Sequence, residues 1–190
     1  MNVIATSLPG VLIVEPKVWG DDRGYFMEAY RANRYAELGL PERLVQDNLS
    51  YSRRGVLRGL HCQHPQAQGK LVQVFAGEVF DVAVDLRRGS STFGRWVGVT
   101  LSATNQRQFW VPAGFAHGFL VTSETALFGY KCSTYYEPET EFSVRWDDPA
   151  IGIDWPLGAH GMPELSHKDQ AAPLLSDHPA ERLPAIEDYP

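Results

Sequence analysis

Cysteine is nearly absent from this chain. The only two, Cys62 and Cys132, lie far apart and neither belongs to a Cys-x-x-Cys pair, which excludes a disulfide framework and a thiolate zinc site and leaves two buried thiols as the expectation. Long apolar runs are also missing. No stretch approaches the ~20 residues that a membrane helix requires. The segment Met1 to Pro16 is apolar, but it has no basic region before it and is broken by Pro9-Gly10, so it makes a poor secretory signal. A soluble, cytoplasmic protein with no membrane partner is expected. Basic runs are absent too, and the formal net charge is -6. Phosphate neutralisation needs a basic face, so nucleic acid is excluded as the main partner. A local basic pocket remains open to the chain, with Arg23, Arg58 and Lys70 available to build it. There is no internal repeat and no low-complexity tract.

What the chain does have is enough apolar material for one core: 190 residues, 44% hydrophobic and 12% aromatic, the size of one ordinary domain. Val11 to Glu15, Tyr25 to Tyr30, Leu44 to Tyr51, Arg95 to Leu101, Gln108 to Val111, Gly118 to Thr122 and Ala126 to Tyr136 read as strands, with Gly and Pro between them. Lys70 to Phe75 and Glu78 to Leu86 read as a hairpin turning at Gly77. In its second arm Phe80, Val82, Val84 and Leu86 share one face, and Asp81 and Asp85 the other. Arg31 to Leu38 is the one convincing helix, and Leu165 to Asp169 reads as a short helical turn. Many short strands at close spacing predict an all-β, antiparallel sandwich or barrel. The expected organisation is a single domain over 1–176, with a core at about 25–136, a docked C-terminal segment at 147–176 and a mobile tail at 177–190. In Leu44 to Tyr51 the two-residue strand period puts Gln46 and Asn48 on one side, a polar patch rather than core.

The stretch Arg58-Gly59-Leu60-His61-Cys62-Gln63, read with Lys70, places a group that titrates near neutrality between fixed positive charges. Such a site can make and hold an enolate. Two chemistries compete for it. A metal site would use His61, His64 and His117, since Pro112 to His117 resembles the later metal-binding segment of cupin-type jelly rolls. Their earlier His-x-His segment is broken here by Gln63, and Gln68 sits near where the acid is expected. An amide is a poor ligand beside imidazole or carboxylate, so a dismantled metal centre and no metal is the expectation. The alternative is metal-free acid–base chemistry with His61 as base and a tyrosine as acid. Tyr130, in a row with Ala126, Phe128 and Cys132, is a phenol whose apolar companions leave it needing a partner.

Asp22-Arg23-Gly24, Gln46-Asp47-Asn48, Arg58 to Gln63, Gly69-Lys70, Val111 to Phe119, Tyr130-Lys131-Cys132 and Leu165 to Asp169 together resemble the ordered motif series of the dTDP-4-dehydrorhamnose 3,5-epimerases. The resemblance runs from about Val11 to Leu175. It implies a cupin-like jelly roll working as a homodimer without cofactor on a dTDP-linked 4-keto-6-deoxyhexose. It further implies His61 as base, Asp169 as the carboxylate that orients it, Tyr130 as acid and Lys70 beside the C4 oxygen. Substrate contacts carried over in the same way fall on Arg23, Glu28, Gln46, Asp47, Asn48, Arg58, His117, Glu141 and Lys168, with Phe26 stacking on the thymine. Three rivals stand beside the double epimerase: a mono-epimerase acting at C3 or C5 only, a metal-dependent cupin enzyme, and a non-catalytic sugar-nucleotide binder.

Overall fold

Alternation of β-branched and aromatic residues with polar ones sets the strands, and the faces those residues share decide how the strands pack. The computed structural model describes residues 1–158 and 161–189. In chain order the strands are β1 (Asn2–Ala5), β2 (Leu12–Glu15), β3 (Val18–Asp21), β4 (Gly24–Met27), β5 (Gln46–Arg53), β6 (Leu57–Gln63), β7 (Lys70–Ala76), β8 (Glu78–Asp85), β9 (Trp96–Ser102), β10 (Gln108–Val111), β11 (Phe115–Val121), β12 (Thr125–Cys132) and β13 (Glu141–Ser143). Two short helices, α1 (Ala32–Ala36) and α2 (His167–Gln170), interrupt them. One sheet has the order β1-β2-β10-β7-β12-β5 and the other β13-β6-β11-β8-β9, while β3 and β4 form a separate ribbon. All named pairings are antiparallel.

The two sheets face each other as a jelly roll. Val72, Val74, Phe109 and Phe128 of the first meet Val79, Ala83, Val99, Leu101 and Phe119 of the second in one core cluster. Strand β8 is largely buried on both sides, with apolar residues on each face. Its Val82 and Val84 join Leu57, Leu60 and Leu120 in a second cluster on the outer face, covered by Val144, Trp146, Trp155, Leu175 and Leu183 from the C-terminal segment. On the far side of the first sheet, Tyr35 and Leu40 around α1 close over Val14, Leu71 and Trp110.

Three expectations need correction. Lys70 to Leu86 is not a hairpin. Both edges of β7 are occupied, by β10 and β12, so after Gly77 the chain crosses into the facing sheet and β8 pairs with β11 and β9. Gly77 has φ +78, and a Cβ there would collide with the Thr125 carbonyl; this is a corner between sheets. The sheets also extend past the expected 25–136 core, to β1 and β2 at one end and β13 at the other, while β4 lies outside them. The tail, expected to be mobile, is packed. Arg88 N donates to Pro184 O at 2.8 Å, Ile186 N to Arg88 O at 3.0 Å, and Leu183 is buried.

One irregularity positions the site. On β6, Arg58 and His61 are three residues apart, an odd spacing that a regular strand would send to opposite faces. The pairing with β11 shifts between His117↔His61 and Phe119↔Arg58, so β6 carries a bulge that brings both side chains to the inner face. Gly59, at φ +120, makes the bulge possible: a Cβ there would sit 2.6 Å from Gly118 Cα and 2.7 Å from His117 O. Gly59→Ala is expected to cost about 3 kcal/mol of stability. A chemical-denaturation midpoint measures it, and a loss under about 1 kcal/mol would show the bulge to be dispensable.

Candidate active site

At one end of the space between the sheets the apolar core gives way to a cleft of about 650 Å³, within the range that holds a drug-sized ligand. Each wall comes from a different sheet. From the first come Gln46, Asn48 and Ser50 on β5, Lys70 on β7 and Tyr130 on β12. From the second come Arg58 and His61 on β6, His117 and Phe119 on β11, and Glu141 on β13. Ser166, Lys168 and Asp169, at the start of α2, complete the rim.

His61 Nε2 is 2.6 Å from Asp169 Oδ1, which leaves Nδ1 as its other ring nitrogen. Asp169 is itself fixed. Ser166 caps α2, its hydroxyl accepting from Asp169 N at 3.1 Å and donating to Asp169 Oδ2 at 2.8 Å. Burial pushes the Asp169 carboxyl up, but the bonds from His61, Ser166 and the Gly59 backbone outweigh it and hold the acid below its ordinary range. A carboxylate so held fixes the imidazole and stabilises the imidazolium. Because the folded pKa is depressed, Asp169 adds stability above about pH 4, the unfolded value, and the contribution is lost as pH falls through the lower folded value. Thermal melts across the acid range should therefore show wild type losing more than Asp169→Asn, whereas parallel curves would remove the pairing. At neutral pH the same substitution should slow turnover about hundredfold, with nucleotide affinity little changed.

Tyr130 stands on the opposite wall, its ring 5.9 Å from Phe128. Burial raises its pKa above the usual value, with Cys132 and Glu141 adding to the effect and Arg58 opposing it, so the phenol keeps its proton well past neutrality. The charge of Lys70 is felt by Cys62, Asp81 and Cys132. At the rim Glu141 is joined to Lys168 and accepts from Tyr136 Oη at 2.9 Å. Burial raises its pKa, but Lys168, His61 and Tyr136 together bring it below the ordinary value. Gln46 Nε2 donates to Asn48 Oδ1 at 3.1 Å, the amide patch expected from the strand period.

Four expected contacts lie outside this cleft. Asp47 faces away because the period that turns Gln46 and Asn48 inward turns it outward, where Lys131 meets it at 2.8 Å. Arg23 and Phe26 sit on the exposed β3–β4 ribbon, Arg23 paired with Asp21 and Phe26 against Trp19 at 6.0 Å. Glu28 follows the ribbon and pairs with Arg34 at 2.8 Å. Of the three histidines weighed for a metal, His61 and His117 line the cleft, each against a carboxylate, and His64 does not. Gln63 bonds the Gln66 and Tyr135 carbonyls and the Glu137 amide, and His64 turns to Tyr189.

Other residues of the site escaped the sequence reading. Asp81, fully buried, lies 2.9 Å from His117 Nε2 and makes a second imidazole–carboxylate pair behind the first. Burial raises its pKa, opposed by His117 and Lys70. A carboxylate within a strand apolar on both faces was the available signal. Ser166 was legible as an N-cap three residues before Asp169. Tyr136 and Ser50 carry no local pattern, and Gln68, read only as the residue near a lost acid position, also lines the cleft.

The family model described as dTDP-4-dehydrorhamnose 3,5-epimerase matches residues 5–177. The dTDP-4-dehydrorhamnose 3,5-epimerase of Salmonella typhimurium is 58% identical over 177 residues, covering 92% of this chain and 96% of that protein. The dTDP-4-dehydrorhamnose 3-epimerase of Streptomyces niveus is 42% identical over 179 residues, 93% of this chain and 85% of its own length. A crystal structure of the Legionella pneumophila 3,5-epimerase in complex with dTDP-4-keto-L-rhamnose superimposes with a TM-score of 0.94 at 59% identity, covering 97% of each chain. With one family spanning nearly its whole length, this chain is an isomerase that belongs to the dTDP-4-dehydrorhamnose 3,5-epimerase family.

Proposed function

We propose that the protein inverts C3 and C5 of dTDP-4-dehydro-6-deoxy-D-glucose to give dTDP-4-dehydro-L-rhamnose, using side chains alone. One observation carries this reading: an imidazole backed by a carboxylate and a phenol with a raised pKa line one cleft from facing sheets. The C4 ketone acidifies the hydrogens on both neighbouring carbons. His61 removes one of them, and the electron pair becomes an enolate with its charge on the C4 oxygen, beside Lys70. Tyr130 returns a proton to the opposite face, and the carbon is inverted. Only protons move, so the reaction calls for no redox cofactor. Arg58, on the same cleft, adds positive charge to that of Lys70, and Lys168 supplies a cation for the diphosphate.

A cytoplasmic homodimer completes the proposal. Among the described residues no helix is long and apolar enough to cross a membrane. On β5 Gln46, Asn48 and Ser50 face the cleft, while Leu49 and Tyr51 face out at 68% and 67% exposure, beside Phe75. An apolar outer face of this kind favours burial against a second copy. The same assembly gives Arg23, Phe26 and Glu28 a role, as contacts that the ribbon carries to the partner's cleft.

Turnover in D2O tests the reading. Deuterium at both C3 and C5 of the product is expected. Label at one carbon only would overturn the double reaction and favour the mono-epimerase, the activity named for the Streptomyces niveus relative.

A further inference from the structure

The family model ends at residue 177, and the residues beyond it reach back to two segments that build the cleft. Strand β13 is the edge of its sheet. Its inner side pairs with β6 in the register Glu141↔Gln63 and Ser143↔His61; among the described residues its outer side has no strand, so the Glu141 and Ser143 carbonyls need other donors. The tail supplies them as side chains. His178 Nε2 lies 3.1 Å from Ser143 O, and since a carbonyl can only accept, the imidazole donates from that nitrogen. Arg182 Nη2 donates to Glu141 O at 3.0 Å. Between these two bonds Phe142 is held by the His178 ring at 5.1 Å and the Arg182 guanidinium at 5.6 Å.

Further on, Tyr189 Oη accepts from Ala67 N at 3.2 Å, and its ring meets His64 edge-on. Arg87 Nη1 donates to the Tyr189 carbonyl at 2.9 Å, and Arg87 is itself locked by Asp85 at 2.9 Å. Ala67 belongs to the link that leaves β6 after Gln63 and delivers Gln68 and Lys70 to the cleft. The tail is thus fastened to a rigid anchor and holds both the strand of Glu141 and the link before Lys70.

We propose that the 178–189 segment is a brace that sets the nucleotide-binding rim, with Arg182 and Tyr189 as positioning residues. Arg182 acts through the β13 backbone on Glu141, and through it on Lys168 and Tyr136. Tyr189 acts through Ala67 on Gln68. The brace does not touch the His61–Asp169 pair, which is held from the other side by Ser166. Its loss therefore loosens binding more than it slows the chemical step. This inference rests on reading Glu141 and Lys168 as ligand contacts.

The test uses the full-length enzyme with Arg182→Ala, Arg182→Lys and Tyr189→Phe, measuring kcat, KM, melting temperature and thymidine diphosphate affinity by calorimetry. Arg182→Ala should raise both KM and the nucleotide Kd about fivefold to tenfold, with kcat within about twofold. Arg182→Lys, which can still donate to the carbonyl, should recover most of that affinity, and Tyr189→Phe should weaken binding about threefold. A brace that only keeps the chain folded would lower kcat per mole of protein with KM and Kd unmoved; that result, or no change at all, overturns the proposal. Lys168→Ala separates the two layers: unchanged nucleotide affinity in that variant would show that the rim itself has been misread.

Discussion

His61→Ala is expected to lower turnover by about 10⁴-fold while thymidine diphosphate binds within about threefold of wild type, since a positioned base contributes up to about that factor. The imidazole lines the cleft, one of its nitrogens bound at 2.6 Å to a buried carboxylate. Asp169 cannot take over. It loses the bond that offsets its burial, so its carboxyl takes up a proton more readily than in wild type. On the proposal that one base serves both carbons, the variant should incorporate deuterium from D2O at neither C3 nor C5 beyond the enzyme-free rate. Loss of exchange at one carbon alone would assign a second base, and His117, backed by Asp81 at 2.9 Å, is the group to examine next. Near-normal turnover would remove His61 from the mechanism.

The sequence made much of this site legible, and the reasons differ from residue to residue. Gln46 and Asn48 were readable because a strand sorts its side chains by parity, and the same parity takes Asp47 to the other side. His61 and Arg58 were readable as a motif but not as neighbours on one face, because the bulge that aligns them depends on how closely β11 approaches Gly59. The β7–β8 corner looked like a hairpin because a glycine between two apolar runs serves either purpose; which one forms depends on whether the edges of β7 are already taken, a long-range fact. Asp81 fell on the correct face, opposite Val82 and Val84. Its partner His117 comes from a strand that is distant in sequence. The tail looked mobile because its prolines suppress periodicity, yet its contacts are made by isolated side chains onto backbone atoms, a mode that leaves no pattern along the chain.

Tyr130→Phe should separate the two halves of the reaction. The ring keeps its place against Phe128 and only the hydroxyl is lost, so the cleft keeps its shape and proton abstraction by His61 continues. What fails is delivery to the far face. Inversion should fall by about 10³-fold, but the enolate still forms, and His61, having exchanged its proton with solvent, can return a deuteron to the face from which it took the hydrogen. The expected record in D2O is therefore exchange with retained configuration, most plainly at C5, in a variant that yields almost no epimer. That pattern distinguishes a proton donor from a packing residue, whose loss would slow exchange and inversion together. The raised pKa of the phenol predicts in addition that wild-type inversion persists through mildly alkaline pH, because burial keeps the donor protonated above its usual range. Undiminished inversion at both centres in Tyr130→Phe would hand the acid's role to water or to another side chain on the same wall.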